Sequence, residues 1–163
     1  MLLYHGTIKA SAQSICKRIN LSASKGRLDF GKGFYLTADK GQAKIWAKRK
    51  SFPTGIPAVI TFEANLEPLC IKKYTDTSLP WAEEIYNQRV IGIDHFDIDC
   101  IIGPIADRRV REDATDCAEG KISKSDFIQR ISEKSLGMQY VLKTENSLSC
   151  IKILKMEVLY NGS

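Results

Sequence analysis

The chain has 163 residues, a length that suits one domain, and its 44% apolar content supplies a real core. With 26% charged and 9% aromatic residues it has the composition of an ordinary globular protein, which excludes a disordered or fibrous chain. The net charge of +5 gives a modest positive field that solvated helix faces explain as well as an anionic ligand does, and no apolar run approaches the ~18 residues of a membrane span.

The opening residues Met1 to Thr7 have no basic flank and no long apolar core, so a secretory signal is not expected and the cytoplasm is the default location. Residues 2–5 read as a strand, and Ile8, Ala12, Ile15, Cys16 and Ile19 follow at helical spacing. Residues 22–32, rich in Ser, Gly and Asp, form a loop that runs into a short bulky strand at 33–37, then a helix at about 40–50. Residues 58–64 and 69–74 read as strands parted by Pro68, and 81–90 as a helix with Trp81, Ile85 and Tyr86 on one side. Residues 99–103 make a buried strand stopped by Pro104, and 107–113 a charged loop. Ser123, with Asp126 three residues on, reads as a capping box opening a helix that carries Phe127, Ile128 and Ile131 and that Gly137 ends. The last strands are 138–143 and 151–160, with a helical turn at about 145–150. Short mixed elements with few βαβ units predict an α+β fold with a mostly antiparallel sheet, in one domain over 1–163.

Five cysteines with no Cys-x-x-Cys pair and an odd total argue for reduced, mostly buried thiols rather than a disulfide framework. His5 and His95 offer no paired ligand spacing, so no metal is expected.

Three segments carry chemistry. In Tyr4-His5-Gly6-Thr7, a glycine after a histidine at a strand end lets the backbone approach a planar amide, while His5 and Thr7 offer hydrogen bonds to hydroxyls. Alone, the segment reads rather as a satisfied structural histidine at a turn. In Asp29-Phe30-Gly31-Lys32-Gly33-Phe34-Tyr35, two glycines bracket Lys32 and Tyr35 can present its ring face to a flat ligand. Trp46 follows eleven residues after Tyr35, so two rings can wall a slot, each contact worth ~0.5–1.5 kcal/mol beyond area burial and more for a cationic ring. Alone, this is a glycine turn with a packed tyrosine. In Met138-Gln139-Tyr140-Val141-Leu142, Gln139 points into a cleft or stands on any half-exposed strand.

In this order the segments resemble the ADP-ribosyltransferase superfamily, in the His-Tyr-Glu branch that includes diphtheria toxin and the poly(ADP-ribose) polymerases. More closely, the chain from Leu2 to its end is similar to a bacterial family of transferase-like domains with the Asp-Phe-Gly-x-Gly-Phe-Tyr signature, whose later motifs match Gly103-Pro104-Ile105-Ala106-Asp107 and Gln139-Tyr140-x-x-Lys143-Thr144. The resemblance implies an ADP-ribosyltransferase-like split sheet flanked by helices, with NAD as substrate and no metal. It implies a catalytic set of His5, Tyr35 and Gln139. His5 would bond the ribose, the Gly6 backbone would hold the nicotinamide carboxamide, Tyr35 and Trp46 would sandwich the ring, and Thr7 and Gly33 would complete the NAD-binding set. The chain departs from the pattern at Gln139, where the family has Glu, because an amide orients a hydroxyl but brings no charge. Asp107 and Arg89 are candidates to supply charge or bind phosphate, against ordinary surface salt bridges, and Glu145 is a poor substitute.

The expected function is an NAD-dependent mono-ADP-ribosyltransferase, the toxin of a bacterial toxin-antitoxin pair, with a cognate antitoxin and an unidentified macromolecular target as partners and no membrane. Two alternatives stand beside it. One is an RNA 2′-phosphotransferase gripping phosphate with Arg108, Arg109 and Arg111, and the other is a non-catalytic module that binds NAD or ADP-ribose.

Overall fold

A computed structural model describes residues 1–24, 27–95, 97–107 and 109–160. In chain order the elements are β1 (Leu2–Ile8), α1 (Lys9–Lys17), β2 (Phe34–Leu36), α2 (Lys40–Ser51), β3 (Pro57–Ala64), β4 (Ile71–Lys73) and α3 (Leu79–Tyr86). Then come β5 (Cys100–Ala106), α4 (Val110–Ala118), α5 (Lys124–Ser132), β6 (Ser135–Leu142), α6 (Glu145–Ser149) and β7 (Ile151–Val158). The fold is α+β. One sheet has the order β1-β3-β7 and is antiparallel; the other has the order β2-β6-β5-β4 and is antiparallel except for the parallel β4–β5 pair.

The main core lies between the sheets, where Leu3, Ile60 and Phe62 of the first pack with Phe34, Leu36, Ile102 and Leu142 of the second. On the outer face of the second sheet, Ile101 and Val141 pack against Trp81, Ile85, Val110, Phe127 and Ile131 from α3, α4 and α5. On the outer face of the first, Val59 meets Ala43 and Ala47 of α2. The layers are therefore α2, sheet, sheet, then α3 to α5. Each fully buried Leu, Ile or Phe among these contributes roughly 1.5–3 kcal/mol. β5 is buried along its whole length, as its unbroken run Cys-Ile-Ile-Gly-Pro-Ile-Ala requires of a strand covered on both faces.

Several boundaries differ from the sequence reading, each for a local reason. β1 continues through His5-Gly6 to Ile8, because β3 pairs with it residue for residue. β5 continues through Pro104 to Ala106; its register against β6 shifts between these two residues, and a proline with no N–H to give is tolerated at such an irregularity. The charged stretch after Asp107 winds into α4, whose buried Val110 and Ala114 stand among Arg111, Glu112 and Asp113. Gly137 lies inside β6 at φ +114 rather than ending α5. The capping box of Ser123 and Asp126 is present. The cysteines are free, but only Cys100 is buried and Cys16 and Cys70 are exposed, which corrects the expectation of mostly buried thiols. No helix among the described residues is long and apolar enough to cross a membrane.

Tyr4 and Thr37 exchange backbone hydrogen bonds of 2.8 and 3.0 Å, joining β1 to the end of β2. Next to this bridge the His5 ring reaches the Tyr35 backbone carbonyl, which ties β1 to β2 a second time.

Candidate active site

A cavity of about 580 Å³ opens between α1, β1, β2 and α2, a size usual for small-molecule sites. His5, Thr7, Gly33, Tyr35, Trp46 and Gln139 all line it. Successive strand side chains alternate faces, so His5 and Thr7 share the cavity side of β1 while Gly6 faces α2. There a Cβ would overlap the Ala43 carbonyl oxygen, which is why the position is glycine. Gly6 itself does not line the cavity. Its N–H and C=O point to the same strand edge as those of Tyr4, toward β2, because backbone groups two residues apart face the same way.

The His5 Nδ1 lies 2.7 Å from the Tyr35 carbonyl oxygen. A carbonyl only accepts, so Nδ1 carries the ring proton and Nε2 keeps a lone pair. The ring stacks on Phe34 at 4.7 Å between centroids and 23° between planes. Burial in the cleft and, after it, the nearby Lys50 charge lower the His5 pKa to about 4, against the opposing bond to the Tyr35 carbonyl. His5 is thus neutral near pH 7, a fixed acceptor for a hydroxyl.

The Tyr35 hydroxyl donates to the Gly31 carbonyl at 2.7 Å and accepts from the Phe30 N–H at 3.2 Å. Burial, together with the Asp29 charge, holds its pKa well above the ordinary tyrosine value. With the hydroxyl tied back to its own loop, the ring is what Tyr35 offers the cavity. Trp46, half-buried on α2, lines the same space.

Gln139 is 2% exposed; its Nε2 donates to Asp29 Oδ2 at 2.9 Å and to the Pro104 carbonyl at 3.3 Å. Both partners can only accept, so the amide nitrogen must face them and Oε1 is left to other donors. Asp29, 5% exposed, accepts from Arg89 Nε at 2.7 Å on Oδ1 and from the Ala106 N–H at 3.2 Å on Oδ2. The charge missing at position 139 therefore sits one hydrogen bond away. Sequence reasoning quoted Asp29 inside a motif without giving it a role; its meaning depends on a partner 110 residues distant, so no local pattern marks it.

Arg89 sits on a π-helical turn, Asn87–Ile91, and also donates to the Arg27 carbonyl at 2.9 Å. Its side chain is mostly buried against Asp29, not a surface salt bridge. Such turns recur at functional sites. Arg18 and Lys50 line the cavity too, with Ser11 and Ser14 of α1. Ser11 and Ser14 are three apart on one face of α1, a spacing that was the available signal, while Arg18 follows the helix in extended backbone.

Other sequence candidates fall elsewhere. Asp107 and Arg111 line a second cavity of about 780 Å³, parted from the first by Leu28, Asp29 and Arg89, which line both. Arg109 lines a third space that shares no residue with the first cavity, and Arg108 lies outside the described residues. Glu145 opens α6 and does not line the first cavity. Among the described residues no group of His, Cys, Asp or Glu is arranged to hold a metal.

No curated protein matches the chain. Residues 1–153 match the model of a family described as "Protein of unknown function (DUF3990)", and the chain belongs to that family.

Proposed function

We propose that the chain is an NAD-dependent mono-ADP-ribosyltransferase on an ADP-ribosyltransferase-like fold. The observation that carries this reading is the convergence of His5, Tyr35, Trp46 and Gln139, from four separate segments, on one cavity. In this reading His5 Nε2 accepts a hydrogen bond from a hydroxyl of the nicotinamide ribose. Tyr35 and Trp46 offer ring faces to the nicotinamide, whose positive charge strengthens the attraction. Arg18 and Lys50 supply cations for the diphosphate.

Gln139 acts with Asp29. The buried carboxylate accepts from the amide nitrogen and polarises it, so Oε1 presents partial negative charge toward the ribose. Positive charge develops there as the C1′–N bond breaks and its electron pair leaves with nicotinamide, and a preorganised dipole is worth most at that moment. A nucleophile then gives its lone pair to C1′ and its proton to solvent.

The test is nicotinamide release from NAD. The wild-type chain should release it, and His5→Ala and Tyr35→Ala should each lose about tenfold or more. A folded wild-type chain that binds NAD yet releases nothing selects the non-catalytic binding module, the reading that the uncharged Gln139 favours. A folded chain that neither binds nor cleaves NAD refutes both.

The toxin role is a separate proposal, with a cognate antitoxin as partner. Expression in a bacterial host should slow growth, and Tyr35→Ala should relieve it. Unimpaired growth with well-expressed protein removes that role.

A further inference from the structure

Lys143 stands one residue beyond β6 and four after Gln139, and its side chain is only 3% exposed. A buried ammonium needs partners on every side. Its Nζ donates to the Phe30 carbonyl at 2.6 Å and the Lys32 carbonyl at 2.9 Å, and pairs with Asp94 Oδ1 at 2.6 Å. Asp94 Oδ2 accepts from the Lys32 N–H at 3.3 Å. The carbonyl between these two belongs to Gly31, and the Tyr35 hydroxyl bonds it. Three successive loop carbonyls thus each have a side-chain donor. Gly31 at φ +71 makes the turn, in space where a Cβ would crowd Asp94 and Gln88. Phe30 is fully buried and stacks on Tyr74 with centroids 6.0 Å apart and planes 9° apart.

The loop so fixed carries Asp29, the partner of Gln139. Tyr35 has a second support, since β2 pairs it with Val141 of β6. Asp29 belongs to no strand, and its place depends on the loop.

We propose that Lys143, held by Asp94, is a positioning residue for the reaction. It fixes loop 29–33 so that Asp29 meets Gln139 in the NAD cavity. It does not itself line that cavity and acts through the loop. The claim about catalysis rests on the proposed function; the claim about the loop does not.

The experiment uses the full chain with Lys143→Met and, separately, Asp94→Asn, which keeps the lysine's bonds to the carbonyls but removes its counter-charge. Hydrogen exchange by mass spectrometry reads the loop, and nicotinamide release reads the reaction. In Lys143→Met, amides 28–34 should exchange at least about tenfold faster while β3 and α5 keep their protection. Turnover should fall about tenfold or more with KM changed less than about threefold, since the aromatic walls stay in place. Asp94→Asn should shift both readouts in the same direction by less. If Lys143→Met does not fold, Asp94→Asn carries the same comparison.

Unchanged loop exchange in the folded variants overturns the proposal. So does loosening spread evenly over the chain, which marks a plain core role, and so does a loosened loop with unchanged turnover. If the wild-type chain cleaves no NAD, it is the proposed function that fails, and the exchange arm alone then decides whether Lys143 fixes the loop.

Discussion

Gln139→Glu introduces the carboxylate that the resemblance expects, and the structure predicts that it harms the protein near neutral pH. Nε2 stands 2.9 Å from Asp29 Oδ2, so the substitution sets two buried carboxyl groups face to face. At that separation, with an effective dielectric of about 20, their repulsion is roughly 6 kcal/mol. Protonating the new carboxyl is cheaper: from an unfolded value of about 4.3 it costs ~4 kcal/mol at pH 7 and ~1 kcal/mol at pH 5. Once protonated, it donates to Asp29 as the amide did. The folded-state pKa of the new group is thus raised above its unfolded value, and its stability is lost as pH rises from about 4.3 toward that raised value. Urea unfolding at pH 5 and pH 7 measures the difference, expected at about 3 kcal/mol beyond any pH dependence of the wild type. Adding Asp29→Asn should return most of the loss, because one carboxylate then faces one amide. Equal destabilisation at both pH values would refute the contact between Gln139 and Asp29.

Two further outcomes follow from the same geometry. His5 has a folded-state pKa of about 4 against 6.5 unfolded, so protonation favours the unfolded chain; the stability present above pH 6.5 should fall by about 2 kcal/mol by pH 5. His5→Gln should flatten that part of the urea-unfolding profile, and profiles that stay parallel would remove the burial argument. Gly6→Ala should cost roughly 3 kcal/mol, because its methyl drives into the α2 backbone at Ala43 and lies 3.0 Å from the Ala47 nitrogen. A variant with an unchanged urea midpoint would mean that α2 does not rest on β1.

Features written in short range were legible in the sequence. In the capping box Ser123 and Asp126, three residues apart, each accept the other's backbone N–H, and it stands as read. Tyr35 on a strand and Trp46 on the following helix are also close in sequence, and both line the cavity. What the sequence hides is long range. α4 reads as a charged loop because only Val110 and Ala114 of its residues are buried. Pro104 reads as a strand end because the shift in pairing that accommodates it belongs to β6. Asp29 and Lys143 look like ordinary surface charges until the fold brings Gln139, Arg89 and Asp94 against them.

The indole N–H of Trp81, fully buried, donates at 2.9 Å to the Pro104 carbonyl, the same oxygen that the Gln139 amide touches. The other of the chain's two tryptophans, Trp46, lines the cavity half-buried. Their emission therefore divides by location. Trp81, fully buried, should emit from the interior beyond the reach of iodide and report chiefly loss of the fold. Trp46 is open to collisional quenching and to stacking by any flat molecule that enters. One fluorescence titration of the unaltered chain accordingly separates filling of the cavity from melting of the structure around it.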